Sequence, residues 1–304
     1  MLWISCVSKK KMILTKLEGG LGNQMFQYAI ASILAKKKNT SILIDTNFFN
    51  QTEKSQAFTP RNFELSIFNN SYIQASESEK KRFQQLSFFD KIKKNLGFNY
   101  PKIYTEATFD FDEKALSVNL PVYLKGYFQS FKYLKGYENL IKNIFAFPID
   151  KLDSVNEKLL LTIKQTNSIS IHIRRGDYVN DKKTQGFHGN CSLEYYKEAI
   201  ALLASKANDI SLFFFSDDTD WVKEQFDNLS YPKVFVANNT GENSWKDMCL
   251  MSFCRHNIIA NSSFSWWAAW LNEHSDKIVV APKKWFVEAK INTNDLIPNE
   301  WIRL

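Results

Sequence analysis

The chain has four cysteines in 304 residues, Cys6, Cys191, Cys249 and Cys254. None forms a Cys-x-x-Cys pair and none stands at metal-ligand spacing from the four histidines. That excludes a zinc ribbon and a redox dithiol, and it points to a reducing compartment. Long apolar runs are missing as well: no stretch reaches the roughly 18–20 residues that cross a bilayer. The apolar start, Met1 to Val7, is too short for a secretory leader and has no basic residues before it. Residues 1–11 read as an extension ahead of the first strand. No solenoid repeat and no low-complexity tract occurs. Nor is there a basic stripe interleaved with aromatics, the footprint of a nucleic-acid surface. Lysines come in short scattered runs such as Lys9-Lys10-Lys11 and Lys36-Lys37-Lys38, the habit of a solvated surface. These absences leave a globular chain.

Apolar residues at 44% and charged ones at 23% are globular proportions, and 25 Phe with 8 Trp call for heavily packed cores. A net charge of +7 admits nucleic acid, an anionic membrane surface or an anionic small substrate as partner. Residues 12–17 read as a strand, Gly19, Gly20 and Gly22 as a tight loop, and the run from Leu21 to Leu34 as an amphipathic helix. Residues 41–45 are the next strand, and 121–127 are strand-like. Pro148 marks a boundary. Beyond it, strands are expected at 168–173, 211–215, 233–237, 257–260 and 277–281. Helices are expected at 192–206, 219–228, 243–255 and 264–274. The pattern predicts two α/β domains, 12–150 and 151–304, with a cleft between them.

In open α/β sheets ligands bind beyond the carboxyl ends of the strands, and three polar clusters fall at such ends. The first is His172-Ile-Arg-Arg-Gly-Asp177. Period-two alternation puts His172 and Arg174 on one face, so Arg174 can fork onto phosphate oxygens. Arg175 starts on the other face and is expected to hold Asp177 or Tyr178. The plain alternative is a basic turn with an internal ion pair. The second cluster, Ser216-Asp-Asp-Thr-Asp220, has three readings. Asp218 and Asp220 fit a metal-bound diphosphate, Asp218 fits the N1–H and N2 donors of guanine, and either fits a helix cap. Arginines that already neutralise the phosphates argue against the metal. The third is the Ser262, Ser263 and Ser265 turn ahead of a Trp-rich helix. Its hydroxyls and first-turn N–H groups suit phosphate anions, while Trp266, Trp267 and Trp270 read as core.

Gly20-Leu-Gly22 opens a dinucleotide fingerprint and Asp45 stands near the place of a ribose-binding carboxylate. Met25 fills the position of the third glycine, which disfavours an NAD-dependent oxidoreductase. Asn23 and Gln24 offer amides to a phosphate or a sugar hydroxyl. A basic nucleic-acid-binding protein is the third class the composition allows.

Six blocks carry a resemblance. They are Gly19-Gly-Leu-Gly-Asn-Gln-Met-Phe-Gln-Tyr-Ala29, Gly126-Tyr-Phe-Gln-Ser130, His172-Ile-Arg-Arg-Gly-Asp-Tyr178, Cys191-Ser-Leu-Glu-Tyr-Tyr196, Ser216-Asp-Asp218 and Asn261-Ser-Ser-Phe-Ser-Trp266. In this order they resemble the signature blocks of the α-1,2-fucosyltransferases, glycosyltransferase family 11, of the bacterial type. The resemblance implies a GT-B-type fold with two facing Rossmann-like domains. It implies inverting transfer of L-fucose from GDP-β-L-fucose to the 2-hydroxyl of a galactoside, with no metal and no cofactor. Carried over, Arg174 binds the β-phosphate with Arg175 in support, and His172 and Asp218 lie near the guanine. Ser262, Ser263 and Ser265 take phosphate oxygens, with Gly20, Gly22 and Asn23 nearby. The acceptor is then a galactose-terminated oligosaccharide, whether a lactose-like end, N-acetyllactosamine or a lipid-linked repeat of a surface glycan, and the bacterial type implies a cytoplasmic enzyme, at most peripheral to the inner membrane. The base that takes the acceptor's proton is Asp177 or an acidic residue of 104–113.

Overall fold

The computed structural model describes residues 11–50, 60–175, 189–287 and 291–304. Asp177, Tyr178 and Cys6 lie outside the described residues. The chain divides into two compact units. The first holds the described residues before 51 together with Pro60–Ala146 and Asn292–Leu296. The second holds the described residues of Phe147–Ile291 and Ile297–Leu304.

The first unit is built on β1 (Met12–Lys16), β2 (Ser41–Asp45), β3 (Lys102–Thr105) and β4 (Val122–Lys125). They form a parallel sheet in the order β2-β1-β4-β3. A strand buried on both faces needs apolar residues on both, and Ile13 and Leu14 are fully buried in succession. Helix α1 (Leu21–Lys38) follows β1 directly. It ends where Lys36, Lys37 and Lys38 meet the negative end of the helix dipole and Asn39 turns left-handed. The remaining helices are α2 (Glu77–Gln84), α3 (Phe88–Asn95), α4 (Lys114–Ser117) and α5 (Glu138–Ile144). The chain runs from β1 to β2 on one side and reaches β4 and β3 on the other. The order therefore reverses between β1 and β4, and the loops after those two strands flank the crevice. β3 falls in a stretch with no strand signal in the sequence: its burial alternates without a fully buried residue.

The second unit has α6 (Ser154–Gln165), α7 (Leu193–Lys206), α8 (Thr219–Phe226), α9 (Trp245–Phe253) and α10 (Ser263–Leu271). Its strands are β5 (Asn167–Ile173), β6 (Ile210–Ser216), β7 (Lys233–Val236), β8 (His256–Ile258), β9 (Val279–Ala281) and β10 (Ile302–Arg303). Five strands were expected and six are present among the described residues. The two-residue β10 is too short to leave a periodic signal, and it pairs with β9 only because the chain end returns there. The order is β10-β9-β8-β5-β6-β7, all parallel. The alternation of β5 resolves into two buried faces. Ile169, Ile171 and Ile173 pack with Leu212 and Phe214 of β6 and with Tyr196, Ala199 and Leu203 of α7. The other face is polar and fully bonded: Asn257 Nδ2 donates to Ser170 Oγ at 2.7 Å, and Asn272 Nδ2 donates to Asn257 Oδ1 at 2.7 Å. Trp266 and Trp267 are fully buried core residues, as are Cys249 and Cys254. No helix among the described residues is long and apolar enough to cross a membrane.

A second polar network ties α6 to α9. Asn156 and Asn239 exchange amide hydrogen bonds at 2.9 and 2.8 Å, and Asn239 Nδ2 also donates to Asp247 Oδ1 at 2.7 Å. Burial pushes the Asp247 carboxyl up to about 7, and the Asn239 donor only partly offsets it. A carboxyl whose pKa is raised on folding is more often protonated in the native state, so its contribution to stability falls as pH rises from about 4 to about 7. Asp247→Asn imitates the protonated form. It should raise the melting temperature at pH 8 relative to the native protein and change it little at pH 4.5. Equal differences at both pH values, measured by calorimetry, would contradict a buried neutral carboxyl.

Candidate functional site

In the second unit the strand order reverses between β5 and β8, and the polar clusters expected to form a site gather at that switch point. Arg174 leaves the end of β5. Ser262 follows β8 and caps α10, its Oγ accepting from Phe264 N at 3.3 Å. Arg174 Nη1 donates to the same Oγ at 3.3 Å. A guanidinium and the positive end of a helix thus share one hydroxyl, an arrangement that favours an anion. Asn261 pins the turn by donating to the carbonyls of Gly189 (3.0 Å) and Trp285 (3.2 Å).

The three serines make different contacts. Ser262 is buried as the helix cap, and Ser265, 1% exposed, holds His172 through a 2.9 Å contact from its Oγ to Nδ1. Ser263, in the first turn of α10, is partly exposed. His172 is buried against the Phe264 ring at 5.7 Å. Burial first, and the Arg174 charge second, push its imidazole down to about 3, so it is neutral near pH 7.

The expected partners of Arg175, Asp177 and Tyr178, lie outside the described residues; its backbone N donates to Asp217 Oδ1 at 2.8 Å and its Nε to Asp218 Oδ2 at 3.1 Å. Its guanidinium carbon lies 3.8 Å from the centre of the Trp221 ring, a cation–π stack. The register explains the contact with Asp218. Ile173 pairs with Ser216, so two residues on Arg175 falls opposite Asp218. Asp218 also caps α8, with Oδ1 accepting from Trp221 N at 3.3 Å. Each carboxylate oxygen has two lone-pair directions, so these bonds leave capacity for a base edge. Among the described residues no three His, Cys, Asp or Glu side chains gather to hold a metal ion, Asp218 and Asp220 included.

The first unit has its own polar cluster at the β1/β4 switch point. Gly19 adopts φ +78°, and a Cβ there would lie 2.4 Å from Asn23 Nδ2. Gly20 caps α1 with extended backbone, and Gly22 is buried in its first turn. Asn23 Oδ1 accepts from Gln129 Nε2 at 2.8 Å, joining the glycine loop to the turn after β4. Gln24 does not serve a ligand. It is fully buried, its Nε2 donating to the carbonyls of Gly19 and Asn62 and its Oε1 accepting from Glu64 N, each at 2.9 Å. Asp45 is likewise committed, to Tyr123 Oη and Lys80 Nζ.

Sequence reasoning did not single out Trp221, and it carried Gln129 only within a signature block and Glu106 only within the acidic stretch 104–113. The carboxylate of Glu106 accepts from Tyr127 N at 2.7 Å and Phe128 N at 2.9 Å, fixing the turn that carries Gln129. Burial pushes its pKa up while the two N–H donors pull it back. The block Gly126-Tyr-Phe-Gln-Ser130 was the signal available for this turn. Its neighbours are also engaged: Asp112 accepts from Tyr104 Oη at 2.5 Å, and Asp110 from Asn292 Nδ2 at 2.6 Å. The acidic residues 106, 110 and 112 therefore hold loops of the first unit.

Each unit is a Rossmann-like α/β unit with a polar cluster at the switch point of its sheet, and the fold is of the GT-B type. The crystal structure of POFUT1 in complex with GDP-fucose has this fold, with a TM-score of 0.50 over 90% of this chain and 99% of that one, at 11% identity. Sequence relatives are more specific. The O-antigen biosynthesis glycosyltransferase WbnK of Escherichia coli is 35% identical over 309 aligned residues, 95% of this chain and 99% of that protein. The alpha-1,2-colitosyltransferase of Escherichia coli is 32% identical over 312, covering 96% and 99%. The pattern of Glycosyl transferase family 11 matches residues 3–304, and the chain belongs to that family. The oxidoreductase and nucleic-acid readings are thereby set aside.

Proposed function

We propose that the chain transfers L-fucose from GDP-β-L-fucose to the 2-hydroxyl of a galactoside, with inversion and without a metal. The observation that carries this reading is the meeting of Arg174 with the capped N-terminus of α10 at the β5/β8 switch point. Cleavage of the sugar–phosphate bond leaves negative charge on departing GDP. A guanidinium held beside a helix N-terminus stabilises that charge as it develops, which is the work a divalent ion does in metal-dependent transferases. Arg175, clamped by Asp218 and stacked on Trp221, adds positive potential without being spent on the phosphate. Asp218 uses its remaining lone pairs on guanine N1–H and N2. Donor binding is also assigned to Gly20, Gly22 and Asn23, and Asp177 accepts the acceptor's proton.

A specific observation favours a second donor. A relative matching nearly the whole chain is named a colitosyltransferase. L-Colitose is L-fucose without its 3-hydroxyl, and one missing hydroxyl is rejected only by a site that hydrogen-bonds it. The acceptor is a galactose-terminated oligosaccharide of a surface glycan, carried on a lipid.

GDP release from GDP-fucose and from GDP-colitose, each against a panel of galactosides with the linkage assigned by NMR, tests both donors. No transfer from either would overturn the reading. GDP at about 100 times its Kd should stabilise the protein by about 2.7 kcal/mol in a thermal shift, while ADP and NAD should leave the midpoint in place. EDTA should leave initial rates unchanged. A loss that Mn²⁺ or Mg²⁺ restores would return Asp218 and Asp220 to the metal reading.

A further inference from the structure

Helix α3 of the first unit is amphipathic in the wrong sense for a surface helix. Its buried residue is Asp90, 7% exposed, which accepts from Ser87 Oγ at 2.7 Å and pairs with Lys93 at 3.8 Å. Its apolar residues point outward: Phe88 is 73% exposed, Phe89 72%, Ile92 39% and Leu96 65%. At about 100° per residue, Phe88, Ile92 and Leu96 form one row with Phe89 beside it. Phe98, just beyond the helix, is 64% exposed. A soluble surface does not gather large apolar side chains in this way without a use for them.

The charges around the face are of one sign. Lys91 and Lys93 border the row on either side, and both are exposed. The Nζ atoms of Lys94 and Lys102 lie over the ring of Tyr100, 5.9 and 4.9 Å from its centre. A recess beside the helix is lined by Lys11, Arg82 and Lys93 together with Asp90. An aromatic and aliphatic face framed by lysines is the pattern of a helix that lies in the headgroup region of an anionic bilayer. A second copy of the chain is a poor occupant, because pairing two such faces would set Lys91 and Lys93 of each against those of the other.

We propose that α3 and the turn to Phe98 dock the first unit onto an anionic membrane surface. The apolar row enters the boundary between headgroups and acyl chains, and the lysines meet lipid phosphates. Such docking would hold the enzyme at the surface where a lipid-carried acceptor is found. The binding itself does not depend on the transferase reading.

The test is co-sedimentation of the full chain with vesicles of phosphatidylcholine alone and of phosphatidylcholine mixed with phosphatidylglycerol. The protein should bind the mixed vesicles, release as salt is raised, and bind phosphatidylcholine at least about tenfold more weakly. Phe88→Ser with Phe89→Ser, and separately Lys91→Gln with Lys93→Gln, should each weaken binding about tenfold or more. Transfer to a soluble acceptor should be unchanged in both. Leu96→Ser with Phe98→Ser repeats the test at the other end of the face if the first pair fails to fold. Absence of binding to the mixed vesicles, or variants that bind like the native chain, would overturn the proposal. So would light scattering that shows a native dimer converted to a monomer by Phe88→Ser with Phe89→Ser. Since vesicle binding is read without any donor, a failed transferase assay leaves this result standing or falling alone.

Discussion

Arg174→Lys should lower transfer by about 100-fold or more, on the scale of one charge-stabilising donor removed from a transition state, and leave the melting temperature nearly unchanged. Lysine keeps the charge but is a single point on a flexible stem. Arginine presents a planar fork that can rest one N–H on Ser262 Oγ, 3.3 Å away, and aim others at a phosphate. The loss should appear in kcat more than in KM, because charge accumulates on the leaving group as the bond breaks. Arg175→Lys should be milder, since the Asp218 and Trp221 contacts place that side chain to one side of the leaving group. Arg174→Lys retaining most of its kcat in a steady-state assay would remove Arg174 from the phosphate.

Gly126→Ala should destabilise the first unit by about 3 kcal/mol or more, on the scale of overpacking added to backbone strain. Gly126 has φ +152°, and a Cβ there would lie 2.4 Å from Glu106 Cβ and 2.7 Å from its Oε2. That oxygen is the acceptor for Tyr127 N, so the clash cannot be relieved by swinging Glu106 away without unbonding the turn. The same turn places Gln129 against Asn23, so transfer activity should fall with stability. Gly136→Ala is the control. It shares a positive φ of +82°, but nothing lies within 4 Å of the added methyl, so only strain of about 1 kcal/mol is expected. Calorimetry on the two variants separates strain from collision. Equal losses would show that the contact with Glu106 does not matter.

Much of the architecture was legible because it depends on near neighbours. The run from Leu21 to Leu34, the alternation of β5 and the cap at Ser262 are set by side chains two to four residues apart, and all three are present. The rule that ligands sit beyond strand carboxyl ends then located Arg174 and Ser262 before their contact was visible. Where the sequence was silent, a distant residue decided. Ser265 reads as a hydroxyl of the turn, and the sequence does not reveal its contact with His172. Gln24 looked like a ligand amide until two backbone groups of a remote loop, Asn62 O and Glu64 N, claimed it.

The chain by itself determined the two α/β units, the arginine at one strand end and the serine turn at another, because periodicity and capping act within a single turn or strand. Only the tertiary structure decided what those residues do to one another. Arg174 reaches across 88 residues to Ser262 because β5 and β8 are sheet neighbours. Arg175 reaches across 43 to Asp218 because β5 and β6 pair in a register that sets them opposite. Strand order and register are properties of the assembled sheet, settled by burial of both its faces at once, and no local pattern encodes them.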